Sequence, residues 1–582
     1  MSGRYSLLGF PERLDRWRRL LPYALLLSVT LALYATTLYF DFVWDDDVYV
    51  RKNYRIQGLS PLHLQAIWSN IYLGHYAPIQ HTFLAILHHC SGMEPFGYHL
   101  GQLLIHAACV CLLYFLLKKL EAPRVALLAS LLFAVHPTNI ETVAWVSETK
   151  STLAFLFFLL SFWAFLRFRD KEHWSHAILC ALFLVLSWLS KINTIVAPAI
   201  FFLYDYRQGT LKKRQLKSLT GFFLLSAIFV AIHLASFYKS GQALEETYYE
   251  GPGVHLLNIP LILSFYFRMV VFPHPLSAWQ MMLVFERWNW ILIVGWLALL
   301  GLGWLIYWAN RTIQFWALWF FFFLLPVLGI VPFGIWVADR YLYIPAIGIF
   351  VLVSQLFFWI GDRLPRLAQR VAWELAMAGI LLAFGWHTWN HLPVWRDDIA
   401  LWEDTTQRCM TSAYCHTNLG LAHLRQGHVE RGVKELIRAV EIRPVPRYLI
   451  FLGDAYTMSV GDYRQALIAY NMAREQGGAD IDAEFYAKLA RYYLLAGDLP
   501  LARETILEGE KLDANDPGLL VMNGVLEWKL GNFDEARLSL RRALVITQRR
   551  SNPAGFFSQY WPRASDIGRL LSDLRPQSEP RP

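Results

Sequence analysis

The stretch "WRDDIALWEDTTQRCMTSAYCHTNLG", residues 395–420, separates two unlike halves of the chain. Upstream, to residue 392, long apolar runs alternate with short polar ones; downstream the sequence turns charged, alanine-rich and helical in pattern. The 582-residue chain is 56% hydrophobic and 17% charged. It is too long for one ordinary domain and far from the composition of a typical soluble protein. The halves read as an all-α polytopic membrane part followed by an all-α extramembrane part.

Upstream of the junction, a crossing needs about twenty apolar residues. The candidate spans are 20–40, 98–117, 123–137, 150–168, 174–190, 192–206, 217–238, 290–308, 312–332, 341–360 and 371–391. The count is therefore about 11 transmembrane helices. The stretch 256–273, "LLNIPLILSFYFRMVVFP", is interrupted by Pro260 and Arg268 and reads as a re-entrant or interface-lying element. The first run is of full spanning length and lacks a small-residue cleavage pattern, so it reads as a retained helix. The basic stretches "RLDRWRR" (13–19), "LKKLEAPR" (117–124), "RFRDK" (167–171), "YRQGTLKKRQLK" (206–217), "ANR" (309–311) and "GDRLPRLAQR" (361–370) alternate with the other loops. The positive-inside rule puts them in the cytoplasm with the N-terminus. An odd number of crossings then leaves the first outer loop, 41–97, and the C-terminal part outside. Apolar residues at helical spacing in that loop suggest short helices along the membrane surface. The net charge of +8 serves topology and gives no reason to expect nucleic acid as a partner.

Downstream, Gly427, Gly461, Gly497 and Gly531 recur at spacings of 34, 36 and 34. Small residues, an aromatic or leucine, a turn glycine and a second alanine-bearing helix repeat around them, which is the tetratricopeptide pattern. Stacking such units buries a shared core. The organisation is a membrane domain over 1–392, a junction helix over 393–410, four repeats over 411–549 and a tail over 550–582. In that tail "FFSQYW" (556–561) would fold back as a cap. The six cysteines show no metal-ligand spacing. Cys409 and Cys415 would pair only outside the cytoplasm, and a helix between them would hold them apart.

The chemistry concentrates around "FDFVWDDDVYV", residues 40–50, where Asp45, Asp46 and Asp47 follow the first span. An acidic stretch at a span end can simply stop the helix and stay wet. The same face, however, offers Glu141, Glu148, Lys150, Lys191, Arg268, Asp339 and Arg340, all at span ends. Carboxylates and cations together suit deprotonation of a nucleophile and stabilisation of a phosphate leaving group. Charges gathered at one face, instead of midway through spans, argue against a transporter.

These motifs, taken in order, resemble the C-type (GT-C) membrane glycosyltransferases, and most closely the transmembrane and tetratricopeptide-repeat O-mannosyltransferases and their bacterial relatives. "FVWDDD" is similar to the family's acidic motif, "HYAPIQHTF" to its "YRPL" segment and "FGYHLGQLLIHA" to its histidine-bearing second span. "FAVHPTNIETVAWVSETKS", "LSKINTIVAPAIFFLYD" and "ADRYLYIPAIG" match three further motifs, and residues 395–420 match the entry into the repeats. Ala77 stands where the family often has arginine. The resemblance implies a polyprenyl-phosphate monosaccharide donor and an inverting single displacement. The base would lie in the pair Asp45–Asp46, with Asp46 slightly favoured; Asp41 and Asp47 would be structural. Lys191, Arg340 and Arg268 would bind the donor phosphate. Glu141, His75, His81, Asp339 and Lys150 would bind sugar or acceptor. One base suffices because a lipid phosphate is already a good leaving group. No metal or cofactor is expected, since adjacent aspartates do not by themselves make a cation cage; the lipid-linked sugar is a co-substrate. The acceptor would be Ser or Thr of an extracytoplasmic protein held by the repeats, and the setting a bacterial inner membrane with the repeats in the periplasm. Two alternatives stand beside this: a glycan or lipid acceptor with the same donor, or a non-catalytic membrane scaffold displaying repeats.

Overall fold

The computed structural model describes residues 10–72, 76–239, 252–329, 335–478, 480–549 and 564–573. It is built of helices that fall into two compact units. One comprises Met1–Asp41, Gly74–Phe83 and Glu94–Arg396; the other comprises Phe42–Leu73, Leu84–Met93 and Asp397–Pro582. The junction expected near residue 392 thus falls at 396/397. The outer loop, assigned above to the membrane domain, instead contributes 42–73 and 84–93 to the unit that contains the repeats. The physical reason lies in Trp44, whose backbone and ring are held by the helices that open the repeat region, as described below.

Among the described residues of the first unit, seven helices are long and apolar enough to cross a membrane: Arg19–Tyr39, Pro95–Leu120, Val146–Lys171, Lys213–Ala235, Gly253–Val271, Trp290–Trp308 and Leu367–Trp395. A bent pair, Pro123–Val135 with Pro137–Ala144 at 55°, would make an eighth. Their outer faces carry large apolar side chains such as Trp290, Leu297, Trp304 and Leu382, all more than half exposed, which a bilayer covers. The chain is an integral membrane protein. The expected spans near 174–190, 312–332 and 341–360 appear as the shorter apolar helices Trp174–Trp188, Arg311–Val327 and Ala346–Gly361. The expected 192–206 span opens with the 3-10 turn Ile192–Thr194 and becomes α-helical only from Ala197, running to Gln208.

The 256–273 stretch differs from its reading as a re-entrant element. It is a continuous helix, Pro252–Val271, with Pro260 inside it. A proline deletes one backbone bond and crowds the preceding turn, but the facing helix supplies room. A Cβ on Gly295 would come within 2.7 Å of the Pro260 Cβ, so glycine there lets the two helices approach.

The long helices of this unit are joined by short 3-10 turns rather than simple loops: Pro137–Asn139, Val146–Glu148, Ile192–Thr194 and Asp339–Leu342. Proline explains the first. Residues before proline avoid the α region, and His136 is extended ahead of Pro137. The carbonyls left open at the helix end find partners: Asn139 Nδ2 donates to the Phe133 carbonyl at 2.6 Å. These turns hold Glu148, Asp339 and Arg340, and Glu141, Lys150 and Lys191 lie within two residues of them.

The second unit contains four antiparallel helix pairs in the repeat region: Ala413–Arg425 with Val429–Ile442, Pro446–Ala455 with Tyr463–Gln476, Ala483–Ala496 with Leu499–Asp513, and Pro517–Lys529 with Phe533–Arg549. Each turn glycine of the 34-residue pattern has a positive φ, from +75° at Gly461 to +86° at Gly531, a conformation that side chains resist. Four of the repeat helices are capped by aspartate: Asp462, Asp482, Asp498 and Asp516 each accept a backbone N–H three residues on. A further helix, Ala564–Asp573, seals the end of the stack, with Ile567 buried among Leu520, Ala536 and Leu540. The end is therefore covered by 564–573, and "FFSQYW" lies outside the described residues.

Cys409 and Cys415 are disulfide-bonded. The expectation that a helix would separate them is corrected: Asp398–Arg408 ends before Cys409 and the next helix starts at Ala413, so a tight turn brings the two cysteines together.

Candidate functional site

Each unit carries one constellation of the residues expected to do chemistry. In the membrane unit the hub is Glu148, the last residue of the Val146–Glu148 turn and almost fully buried. Its Oε2 accepts from Lys191 Nζ at 2.9 Å, and its Oε1 lies 3.5 Å from Lys150 Nζ and 3.8 Å from Arg340 Nε. Ser151, three residues along the same helix start, donates to Glu148 and accepts from Lys191 at 2.8 Å. Glu141 binds Arg340 twice, through the guanidinium Nη1 and through the Arg340 backbone N–H at 2.8 Å. The Arg340 and Lys150 cations also lie over the Trp145 ring, 5.5 and 5.8 Å from its centroid.

Three cations therefore gather on Glu148, and a second carboxylate, Glu141, shares Arg340. Lys191 is the most open of the five side chains, at 20% exposure against 1–11% for the others. Burial pulls its ammonium down to about 8, against the opposing pull of Glu148. Burial opposes the Arg340 charge most, but Glu141, Tyr341 and Glu148 together outweigh it and raise the guanidinium above its ordinary value. Asp339 stands apart from these pairs. Its carboxylate accepts from the Ser277 N–H at 3.2 Å and from Gln280 Nε2 at 2.9 Å, and burial followed by repulsion from Glu141 pushes it up to about 8.

Of the residues expected to act together, the structure gathers Glu141, Lys150, Lys191 and Arg340, with Asp339 adjacent in sequence to Arg340. Arg268 is not among them: it is exposed, stacks over Phe265 at 5.3 Å and donates to the His274 carbonyl. Helical period explains this. Tyr266, two residues earlier, is the buried one, and its hydroxyl accepts from the Ala338 N–H. His81 is buried on the Pro78–Ser91 helix next to Gln80, whose Nε2 donates to the Ser147 carbonyl and so fixes the turn that presents Glu148. His75 lies outside the described residues. The central role of Glu148 was not assigned from sequence. Its signal was local: "ETKS" places a carboxylate, a cation and a hydroxyl at a helix start, where all three converge.

In the second unit the aspartate triplet forms a tight turn. The Val43 carbonyl accepts from the Asp46 N–H at 3.0 Å, and Asp46 Oδ2 accepts from the Val43 N–H at 3.2 Å. Asp46 is fully buried and Asp45 partly exposed. Asp47 pairs with Lys52 at 2.6 Å. Burial pushes its carboxyl up, but Lys52, with help from Arg425 and Arg51, holds it below the ordinary range. In the membrane unit, the Asp41 N–H is bound to the Arg396 carbonyl at 2.8 Å. Among the described residues, no group of three or more His, Cys, Asp and Glu is placed to hold a metal ion.

A family model described as dolichyl-phosphate-mannose-protein mannosyltransferase matches residues 75–235. The resemblance is to protein O-mannosyltransferases. The matched segment carries Glu141, Glu148, Lys150 and Lys191. The chain is 24% identical to protein O-mannosyl-transferase F38B6.6 of Caenorhabditis elegans, over 72% of this chain and 62% of the relative. It is 20% identical to human protein O-mannosyl-transferase TMTC3, over 72% of this chain and 51% of the relative, and 31% identical to human TMTC4 over 25% and 23%. The chain thus spans from about half to three-fifths of the two relatives with which it aligns at length. Among solved structures, the crystal structure of the APC/C hetero-tetramer Cut9–Hcn1 covers 79% of this chain and 86% of its own at 14% identity; its TM-score of 0.26 carries no argument about the fold.

Proposed function

We propose that this protein is a membrane glycosyltransferase that moves a monosaccharide, by its resemblance mannose, from a polyprenyl-phosphate donor to a hydroxyl of a protein. The observation that carries this reading is the gathering of three cations on Glu148. Lys150, Lys191 and Arg340 are pre-positioned by buried carboxylates, and the least buried of them, Lys191, offers an ammonium to a phosphate. Such fixed charges stabilise a phosphate leaving group without reorganising during reaction.

Asp46, or its neighbour Asp45, takes the proton from the acceptor hydroxyl as the oxygen attacks the anomeric carbon. The sugar–phosphate bond breaks on the opposite side and the lipid phosphate departs with the electron pair, so configuration inverts. Glu141 and Lys150 contact sugar hydroxyls or the acceptor, and the repeats hold the acceptor protein. The Cys409–Cys415 bridge supports an oxidising compartment for the repeat unit, which suits a periplasmic face of a bacterial inner membrane and a cytoplasmic N-terminus.

The test uses purified full-length chain in nanodiscs, radiolabelled polyprenyl-phosphate mannose and extracytoplasmic proteins as acceptors. Label appears on Ser or Thr with wild-type protein and is lost with Asp46→Asn and Asp45→Asn together. Unchanged transfer in that double variant removes the base assignment, and label found only on glycan or lipid removes the protein acceptor.

A further inference from the structure

We infer that Trp44 and Asp398 are positioning residues for the catalytic aspartates, and that the opening helices of the repeat region act as a clamp on the reacting loop as well as a dock for acceptor. This deepens the proposed function and rests on Asp45 or Asp46 being the base.

The argument begins with the backbone. Trp44 has a φ of +53°, one of two non-glycine residues with positive φ among those described. A bulky side chain resists this region, and such a residue persists only where its surroundings over-determine it. Here the surroundings are specific. The Trp44 N–H donates to Asp398 Oδ1 at 2.7 Å. Its indole Nε1 donates to the Tyr414 hydroxyl at 3.0 Å. Its ring meets Trp402 edge-on, 5.4 Å between centroids. Asp398 is itself braced by Arg425, whose Nη1 lies 2.6 Å from Oδ2. Asp398 and Trp402 lie on the junction helix Asp398–Arg408, while Tyr414 and Arg425 lie on the first helix of the first repeat.

The consequence falls on the aspartates. Trp44 is the second residue of the four-residue turn closed by the Val43–Asp46 hydrogen bond, and the Asp46 carboxylate folds back onto the Val43 N–H. A turn's dihedral at that position decides its type. Releasing Trp44 to an ordinary negative φ would open the turn and move both Asp45 and Asp46. Asp398 does not cap its own helix, because Asp397 does so through the Ala400 N–H at 2.8 Å. Its carboxylate is thus available to serve the loop, 354 residues away in sequence.

The test combines hydrogen exchange with kinetics on full-length protein in nanodiscs. In Asp398→Ala, amides of the 42–47 segment should exchange about tenfold faster or more, since a charge-assisted bond is lost from the turn. The same variant should lower kcat about tenfold with donor KM unchanged, because binding charges are untouched and only the base is displaced. Asp398→Asn keeps an oxygen for the Trp44 N–H and should retain kcat within about threefold. Tyr414→Phe removes only the indole's partner and gives a smaller change of the same kind. Unchanged exchange over 42–47 in Asp398→Ala overturns the clamp, as does an equal loss of kcat in Asp398→Ala and Asp398→Asn. If the wild-type chain transfers no sugar, the functional reading fails by itself and the exchange measurement decides the clamp.

Discussion

The two constellations are held in place by different physics. Around Glu148 the order is electrostatic: cations and carboxylates are buried together and each orients the others. At Asp45–Asp47 the order is conformational: a strained backbone turn is pinned by hydrogen bonds and ring packing, with the Asp47–Lys52 ion pair beside it. The contrast suits the proposed roles. A phosphate site gains from fixed charge, whereas a base gains from exact placement relative to the proton it takes.

The sharpest way to break the comparison is at the base. Asp46→Asn should lower kcat by about 10² to 10⁴-fold, the usual worth of a positioned general base, with donor KM little changed. Asp45→Asn should do less, and single-turnover transfer assays would reverse the assignment if Asp45→Asn proved the more damaging. Next in size is the buried pair. Glu141→Ala leaves Arg340 without its main counter-charge and should destabilise the membrane unit by about 3–5 kcal/mol. Detergent thermal-shift measurements check this; a near-neutral result would mean that other groups already compensate the Arg340 charge.

Breaking the Cys409–Cys415 bridge with Cys409→Ser and Cys415→Ser frees the short loop it closes in the unfolded chain and should cost about 2 kcal/mol in the repeat unit. Because that bridge joins the two helices that hold Trp44, kcat should fall with it while the donor KM stays put. Lys191→Ala should raise donor KM by about tenfold, the lower end for a charge-assisted contact. Last comes pH. The Lys191 ammonium is lowered to about 8, so it is charged and phosphate-binding below that value and neutral above it. kcat/KM should accordingly decline as pH rises through about 8. Asp339, pushed up to about 8 as well, gains charge over the same range, so two variants separate them. Lys191→Arg should abolish the alkaline decline and Asp339→Asn should keep it; the opposite pattern would assign the titration to Asp339.

Much of this was legible in the chain. The repeats announced themselves through glycines that a tight helix turn requires, and all four take positive φ. The charged residues at span ends were recognisable because charge is costly inside a bilayer and is kept to span ends. Other features were not legible for identifiable reasons. Pro260 looked like an interruption because the glycine that accommodates it, Gly295, lies on another helix. Arg268 looked like a phosphate ligand because sequence gives its position along a helix and not its face. The cysteine bridge looked barred by an intervening helix because the helix boundary at Arg408 was invisible.

Local chemistry along the chain therefore established which segments are helical, which are apolar enough to enter a membrane, where the repeats lie and which charges are available. Tertiary structure alone decided who partners whom. Glu148 became a hub for residues at positions 150, 191 and 340, and Trp44, at positive φ, is bound by an aspartate 354 residues away. Hydrophobic patterning acts over a few turns and can be read from neighbours in sequence, whereas ion pairs and strained turns are fixed by groups that only folding brings within a few ångströms.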